Sequence, residues 1–386
     1  MQKGHILSVL QVTPELNAGG VERTTIEMAE AISRAGGLAL VASAGGRLEP
    51  DLEAAGGELI RLPVDSKNPI QVAANVGRIA EVSRTRGVKL IHARSRMPAW
   101  SALWAARRLK LPFVTTYHGV YNARSPLKRL YNSVMARGDI VIANSAYTRD
   151  LVLREYKVDP ARVVAIPRGV DLAVFDRDRI NPVEAAALRA SWLRQDDARL
   201  VVIVPARLTR WKGQTVLIDA MARVEARKPN AVTAILAGDA QGRDAYVREL
   251  ESRITEAKLQ HAVSIVGHLS QMPLAFAASD AAVFPPIEPE AFGRGAVEAQ
   301  AMGLPVIAAK QGGLAETIID GETGILTPPG DSQALADAIL RLSEMGAEGR
   351  AAMGLRGRDR VRQLYAKTAL QAATLQVYER LLGVTT

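Results

Sequence analysis

Short apolar runs alternate along the chain with longer stretches whose apolar positions recur every three to four residues. The runs His5–Val12, Leu38–Ser43, Leu59–Leu62, Lys89–Ala93, Pro112–Thr116, Asp139–Ala143 and Val163–Ile166 predict strands. Between them Val21–Ala35, Ile70–Arg86, Pro98–Leu109, Pro126–Arg137 and Ala146–Tyr156 carry a helical period. A polar, charged stretch, Asp176–Pro182, reads as a linker. The rhythm then restarts, with strands at Leu200–Pro205, Val232–Ala237, Val263–Val266, Ala281–Phe284, Pro305–Ala308 and Gly324–Leu326. Helical patterns fall at Gly213–Arg227, Asp244–Lys258, Met272–Ala277, Gly293–Ala301 and Ser332–Glu344, and an Arg-rich one at Gly357–Leu382. Such alternation predicts an α/β chain of two open, mostly parallel, Rossmann-like sheets. Ligands of open sheets bind at the carboxyl ends of the strands, so chemistry is sought in the loops that follow them.

At 386 residues the chain is long enough for two domains, divided here as 1–180 and 181–360, with a terminal helix at 361–386. The absence of cysteine excludes disulfides, thiolate metal sites and cysteine nucleophiles. The five histidines have no metal-ligand spacing. No segment approaches the ~18 uncharged apolar residues of a membrane span. The first residues run directly into a strand-like segment without room for a signal peptide, and a cytoplasmic protein is expected.

Charge adds a division of labour. Residues 1–180 hold 26 Lys and Arg against 17 Asp and Glu, while residues 181–386 hold 23 of each. The whole formal excess of +9 lies in the first half and predicts a polyanionic partner there: a phosphorylated substrate, anionic lipid or nucleic acid.

The strongest motif is Glu290-Ala-Phe-Gly-Arg-Gly-Ala-Val-Glu298, after the strand Ala281–Phe284. Glycines where a helix begins let backbone N–H groups meet an anion, and the helix dipole favours negative charge there. Eight residues of continuous helix separate two carboxylates by roughly 12 Å, beyond the ~5–9.5 Å of a glycosidase acid/base pair. Glu290 and Glu298 therefore suit gripping hydroxyls at two places on one elongated ligand. Arg207 and Lys212 flank a strand-to-helix turn closed by Gly213. Fixed cations at such a turn suit an anionic ligand, Arg207 as a planar fork of donors and Lys212 as a point charge. Asn17-Ala-Gly19-Gly20 forms a glycine turn after the first strand without the G-x-G-x-x-G fingerprint of dinucleotide binding. His118, ahead of Gly119, follows the strand Pro112–Thr116 at its carboxyl end, where it is placed to face a cleft. Arg94, Arg96 and Asn122 are candidates for acceptor contacts. The helix Pro126–Arg137 sets Leu127, Leu130 and Tyr131 beside Lys128 and Arg129, which fits either an anionic membrane surface or burial against its own sheet.

Residues 200–330 resemble the donor-binding domain of the retaining GT-B glycosyltransferases of family 4, the glycosyl transferases group 1. The matching stretches are the E-x7-E motif, Gln300-Ala-Met-Gly-Leu-Pro-Val-Ile-Ala308, Gly312-Gly313-Leu-Ala-Glu316, Gly321-Glu-Thr-Gly324 and Pro329-Gly330-Asp331. The resemblance implies two Rossmann-like domains facing across a cleft, with the C-terminal helix crossing back to the first. It implies that Glu290 contacts donor sugar hydroxyls, Glu298 the ribose, and Arg207 with Lys212 the diphosphate. Backbone amides at Phe292 and Gly293, the Gly19-Gly20 turn, and the Gly267-His268 turn beneath the nucleobase would complete the donor site, with His118 on the sugar. It further implies retention of configuration, a nucleotide-sugar donor and no required cofactor or metal. A narrower resemblance, carried by His118-Gly-Val-Tyr-Asn122 and Met135-Ala-Arg-Gly-Asp139, is to bacterial lipopolysaccharide-core transferases. It implies a glycan or lipid-linked acceptor, cell-envelope synthesis and a place at the inner face of the cytoplasmic membrane. A GT-B sugar-nucleotide epimerase is the enzymatic alternative. A basic nucleic-acid-binding protein is the alternative of another class, without a recognised motif or stacking platform.

Overall fold

A computed structural model of the chain describes residues 7–17, 19–121, 125–193 and 199–384. The chain divides into two compact units, Met1–Arg168 with Lys367–Thr386, and Gly169–Ala366. The first break thus falls at Arg168/Gly169 rather than at 180/181, and the second at Ala366/Lys367 rather than at 360/361. Redrawn on these bounds, the first unit holds 26 Lys and Arg against 15 Asp and Glu, the second 23 against 25. The charge asymmetry is therefore sharper than the halves suggested.

In the first unit the order is β1 (Ser8–Val12), α1 (Gly20–Arg34), β2 (Leu38–Ser43), α2 (Glu49–Ala54), β3 (Glu58–Arg61), α3 (Pro69–Thr85) and β4 (Leu90–Ala93). It continues with α4 (Arg96–Leu109), β5 (Phe113–Tyr117), α5 (Pro126–Asn132), β6 (Ile140–Ala143), α6 (Ala146–Tyr156) and β7 (Val163–Ala165). The sheet runs β3-β2-β1-β4-β5-β6-β7, and every pairing is parallel. Strands such as β4 and β6 are buried throughout, which explains why they read as continuous apolar runs. Helix starts follow local chemistry: Asn68 accepts from Ile70 N ahead of Pro69, and Ser145 accepts from Thr148 N.

The second unit has α7 (Pro182–Trp192), β8 (Leu200–Pro205), α8 (Gln214–Arg227), β9 (Val232–Ala237), α9 (Asp244–Glu256) and β10 (Val263–Gly267). Then come α10 (Met272–Ala277), β11 (Ala281–Phe284), α11 (Arg294–Ala301), β12 (Val306–Ala309), β13 (Gly324–Thr327), α12 (Ser332–Glu344) and α13 (Gly346–Leu364). Its sheet runs β10-β9-β8-β11-β12-β13, again wholly parallel. A final helix, α14 (Lys367–Leu382), belongs to the first unit.

Several expectations change. The helical pattern Gly357–Leu382 is two helices, broken at Tyr365, whose carbonyl accepts from Val170 N at 2.8 Å and whose hydroxyl donates to Glu316 O at 3.2 Å. The end of the predicted linker opens α7, with Asn181 capping Val183 N. Pro126–Arg137 is α5 followed by a 3₁₀ turn at Ser133–Ala136. That turn is buried, but Leu127 is 79% and Leu130 56% exposed, so α5 is not buried against its own sheet.

In the first unit α14 is anchored from its apolar side and its polar side together. Leu370 and Tyr378 join the core made with α1 and the sheet. Gln371 Nε2 donates to Glu27 O at 2.7 Å, and Lys367 pairs with Glu30 at 3.1 Å.

Each sheet reverses its order once, between β1 and β4 in the first unit and between β8 and β11 in the second. These are the topological switch points where loops diverge and open α/β sheets take ligands.

Candidate functional site

Most of the motif residues gather at the two switch points, while His118 follows β5 and the Gly267-His268 turn follows β10. In the second unit, β8 delivers Arg207 and the 3₁₀ turn Arg210–Lys212, and β11 delivers the loop to Glu290. Gly213, at φ 75°, joins that turn to α8, and a Cβ there would stand 1.8 Å from Pro285 O. The β8 and β11 loops therefore touch through backbone that only glycine allows.

The result is a contact between the two motifs. Lys212 Nζ lies 2.5 Å from Glu290 Oε1, with both side chains mostly buried. Glu290 is also fixed through its backbone, since its carbonyl accepts from Gly313 N at 2.8 Å. It precedes α11 rather than lying on it, so the two glutamates are not joined by continuous helix. Glu298 lies on α11, and Arg294 Nε donates to its Oε1 at 2.9 Å, one helical turn away. Gly293, in the left-handed region, opens α11 without a side-chain cap, leaving that end to its own N–H groups.

Arg207 is exposed, and its Nη1 donates to Gln241 Oε1 at 3.4 Å. Its backbone carbonyl accepts from Gln214 Nε2 at 2.9 Å, which ties the cation's base to the start of α8. Phe292 is 4% exposed and packs edge-on to Tyr365 with ring centroids 5.6 Å apart, so its side chain is core. Gly267, at φ 73°, ends β10, and His268 beyond it is exposed.

In the first unit, Gly19 and Gly20 open α1 at the β1 switch point. His118 follows β5, and its Nδ1 accepts from Arg168 Nη2 at 2.8 Å. Arg168 lies in the turn after β7, in no motif of the sequence, and no periodic pattern marks it. The same guanidinium lies over Gly20, where a Cβ would stand 1.9 Å from Arg168 Nη1. Arg168 thus joins the glycine turn to the histidine. Burial holds the His118 pKa well below its ordinary value, and the charges of Arg168 and Arg94 add to this. With Nδ1 accepting, the neutral ring carries its proton on Nε2, which is buried and has no hydrogen-bond partner among the described residues.

The turn after β4 splits. Arg96 points to Asn132 Oδ1 at 2.8 Å and stacks over Tyr121 at 4.0 Å. Arg94 is 2% exposed and turned inward, where burial lowers its pKa and the Tyr378 hydroxyl and Glu27 lie nearby. That burial is at odds with the expected acceptor contact for Arg94. Asn122 lies outside the described residues. Among those residues no cluster of His, Cys, Asp or Glu has the arrangement of a metal site. No described helix is long and apolar enough to cross a membrane.

Comparison with known proteins agrees with this composition of the fold. Residues 187–360 match the family model described as glycosyl transferases group 1, and residues 18–174 match that of glycosyltransferase family 4. A glycosyltransferase from Rickettsia africae is 32% identical, with a TM-score of 0.90 over 98% of this chain and 99% of its own. HepE from Anabaena, solved with UDP-glucose, is 27% identical, with a TM-score of 0.82 over 97% of this chain and 100% of its own. Among curated proteins, the D-inositol 3-phosphate glycosyltransferase of Xylanimonas cellulosilytica is 29% identical over 78% of this chain and 74% of its own length. The chain belongs to glycosyltransferase family 4 and is built from the two Rossmann-like units of the GT-B class.

Proposed function

We propose that the chain transfers a sugar from a nucleotide-sugar donor to a hydroxyl of a phosphorylated glycan or lipid-linked acceptor, with retention of configuration. The observation that carries the reading is the Lys212–Glu290 contact at 2.5 Å, which brings two motifs from separate switch-point loops to one place. Lys212 uses one of its three N–H donors on Glu290 and has others for a diphosphate oxygen. Glu290, pinned by that cation, accepts from sugar hydroxyls. Arg207 adds a planar donor fork to the departing phosphate. As the bond to the sugar breaks, charge grows on the diphosphate, and these cations gain more from the transition state than from the bound donor. A metal ion is then not needed for that task.

Glu298 receives the ribose hydroxyls, held in place by Arg294. Amides at Phe292 and Gly293 and the Gly267-His268 turn complete the donor grip. His118 donates its Nε2 proton in a hydrogen bond to a hydroxyl of the transferred sugar. The donor's own phosphate accepts the proton of the incoming acceptor hydroxyl, so no covalent nucleophile is invoked. HepE, with UDP-glucose bound, supports a nucleotide sugar as donor. The relative named for D-inositol 3-phosphate, with the positive balance of the first unit, supports a phosphorylated acceptor. Synthesis of a cell-envelope polysaccharide or lipopolysaccharide in the cytoplasm is the setting we infer.

Release of nucleoside diphosphate from a panel of UDP-, GDP- and ADP-sugars, measured with chelator present, tests the reading. Turnover of one base class that survives chelation supports it. Absence of turnover and of binding for every donor would sink it.

A further inference from the structure

The amino ends of β11 and β12, at the opposite end of the second sheet from Lys212 and Glu290, border a cavity of about 350 Å³. Asp280 and Pro305, the residues just before the two strands, both line it. So do three arginines from distant stretches of the chain: Arg177 in a 3₁₀ turn, and Arg350 and Arg358 on α13. Asp280 is the single carboxylate among its described lining residues, and that charge is already answered. Its Oδ2 accepts from Arg189 Nη2 at 2.8 Å and from Val201 N at 2.7 Å.

The three arginines are not answered to the same degree. The Arg177 guanidinium makes no hydrogen bond or ion pair among the described residues. Arg350 gives one N–H to Leu342 O at 3.0 Å. Arg358 reaches Asp178 only at 3.5 Å, and Asp178 is itself 71% exposed, so that pair is worth little. The Nε of Arg358 is buried with no partner among the described residues. Helix α13 also begins here, with Ala347 at the cavity. No side chain caps this 19-residue helix, so its first N–H groups add partial positive charge. Glu348 lies in the same turn but is exposed and does not line the cavity.

Scattered surface arginines need no explanation, because water solvates each of them. Three around one concavity do, since like charges repel there and low-dielectric walls weaken the screening. An anion removes that cost, and the volume says which kind. A bare phosphate would leave much of a space for roughly ten waters unfilled. Pockets for small molecules begin at about 300 Å³. Leu304, Pro305 and Leu355 supply an apolar wall for the carbon body of such a ligand.

We propose that this cavity binds a small phosphate monoester, distinct from the donor and the acceptor of the reaction proposed above. Arg177, Arg350 and Arg358 hold the phosphate, and the carbon body lies on the apolar wall. β11, four residues long, sets the two ends of the sheet roughly 13 Å apart, so both can hold a ligand at once. The site stands on residues of the second unit alone and does not depend on the donor chemistry.

The test is titration calorimetry of the full chain with ribose 5-phosphate and glycerol 3-phosphate, against ribose and inorganic phosphate. Saturable binding of at least one monoester, weakened by salt, is expected, with no binding of ribose. Inorganic phosphate should bind at least about tenfold more weakly, since it leaves the apolar wall uncovered. Arg177→Ala should weaken the monoester at least about tenfold, the value of a hydrogen bond between charged groups. Ala351→Trp, which puts an indole into the cavity, should abolish binding. Both residues are exposed, so both variants should melt as wild type does. Lys212→Ala, at the other end of the sheet, should bind the monoester with wild-type affinity. Nucleotide-sugar binding should be the same in Arg177→Ala and Ala351→Trp as in wild type, so failure of the donor reading and failure of this site are read separately. Absence of saturable binding of either monoester overturns the proposal. So does monoester binding that Lys212→Ala weakens, because the phosphate would then occupy the donor site. Inorganic phosphate bound as tightly as the monoesters, or full affinity kept in Ala351→Trp, also overturns it.

Discussion

Arg168 Nη2 and His118 Nδ1 lie 2.8 Å apart, and a guanidinium can only donate, so the histidine is fixed as the tautomer with its proton on Nε2. The same guanidinium sits over Gly20, which makes the first residue of α1 a handle on the pair. Gly20→Ala places a methyl group against the tip of a flexible side chain, in a helical position that alanine favours. The variant should fold with wild-type stability while Arg168 is pushed from His118. Turnover should fall roughly tenfold or more with nucleotide affinity nearly unchanged, and Arg168→Gln should do the same. Imidazole ¹⁵N shifts of His118 that match wild type in both variants would remove the tautomer argument.

Acid should destabilise the first unit before its carboxylates titrate. His92 is fully buried and bonded on both ring nitrogens, to Tyr378 Oη at 2.6 Å and Thr116 Oγ1 at 2.7 Å. Burial, then the charge of Arg94, hold its pKa well below 6.5, and His118 is shifted the same way. Both stay neutral in the folded state while the unfolded chain takes up protons below pH 6.5. Stability is therefore complete above that value and declines as pH falls, by up to about 1.4 kcal/mol per pH unit for each histidine. Glu22, whose pKa is raised chiefly by burial, acts with the opposite sign nearer the carboxylate range. Urea unfolding at pH 7, 6 and 5 should show this slope, and His118→Gln should remove about one proton from it.

The Arg294–Glu298 pair predicts an indirect effect. Glu298→Ala removes the proposed ribose contact and should weaken nucleotide binding roughly ten- to hundredfold, the value of a hydrogen bond to a charged group. Arg294→Ala leaves the carboxylate but not its orientation, so its loss should be smaller and in the same direction. Titration calorimetry with the nucleotide alone reads both. An Arg294→Ala value equal to wild type would show that Glu298 needs no support.

Gly213 gives the contrasting glycine prediction. Its φ of 75° and the carbonyl of Pro285 at 1.8 Å from a Cβ leave an alanine no relief, because the obstacle is backbone. Gly213→Ala should cost about 2 kcal/mol or more and shift the Lys212 turn away from Glu290. A melting temperature equal to wild type would mean the two loops are more pliant than the geometry implies.

The parallel sheets were legible because strands such as β4, β6 and β9 are buried on both faces and so read as unbroken apolar runs. The loops carrying Arg207, Lys212 and Glu290 were legible for the same reason, since the strand ends that launch them are sharp. Arg168 was not, because its role depends on His118 and Gly20, fifty and more residues away in sequence, and a single arginine after a proline has no pattern. The Gly357–Leu382 region also read as one helix, because its period continues through Tyr365. The break there is imposed by distant partners, Val170 and Glu316. Phe292 shows the converse: its place in the motif was plain, but only packing against Tyr365 shows that its ring is core.

Titration of UDP-, GDP- and ADP-sugars into the wild-type chain and the Glu298→Ala variant, in chelator, tests the donor assignment most directly. Saturable binding of one base class, weakened at least about tenfold in the variant, is the predicted result. Equal affinity in the two proteins, or no binding of any sugar nucleotide, would contradict it.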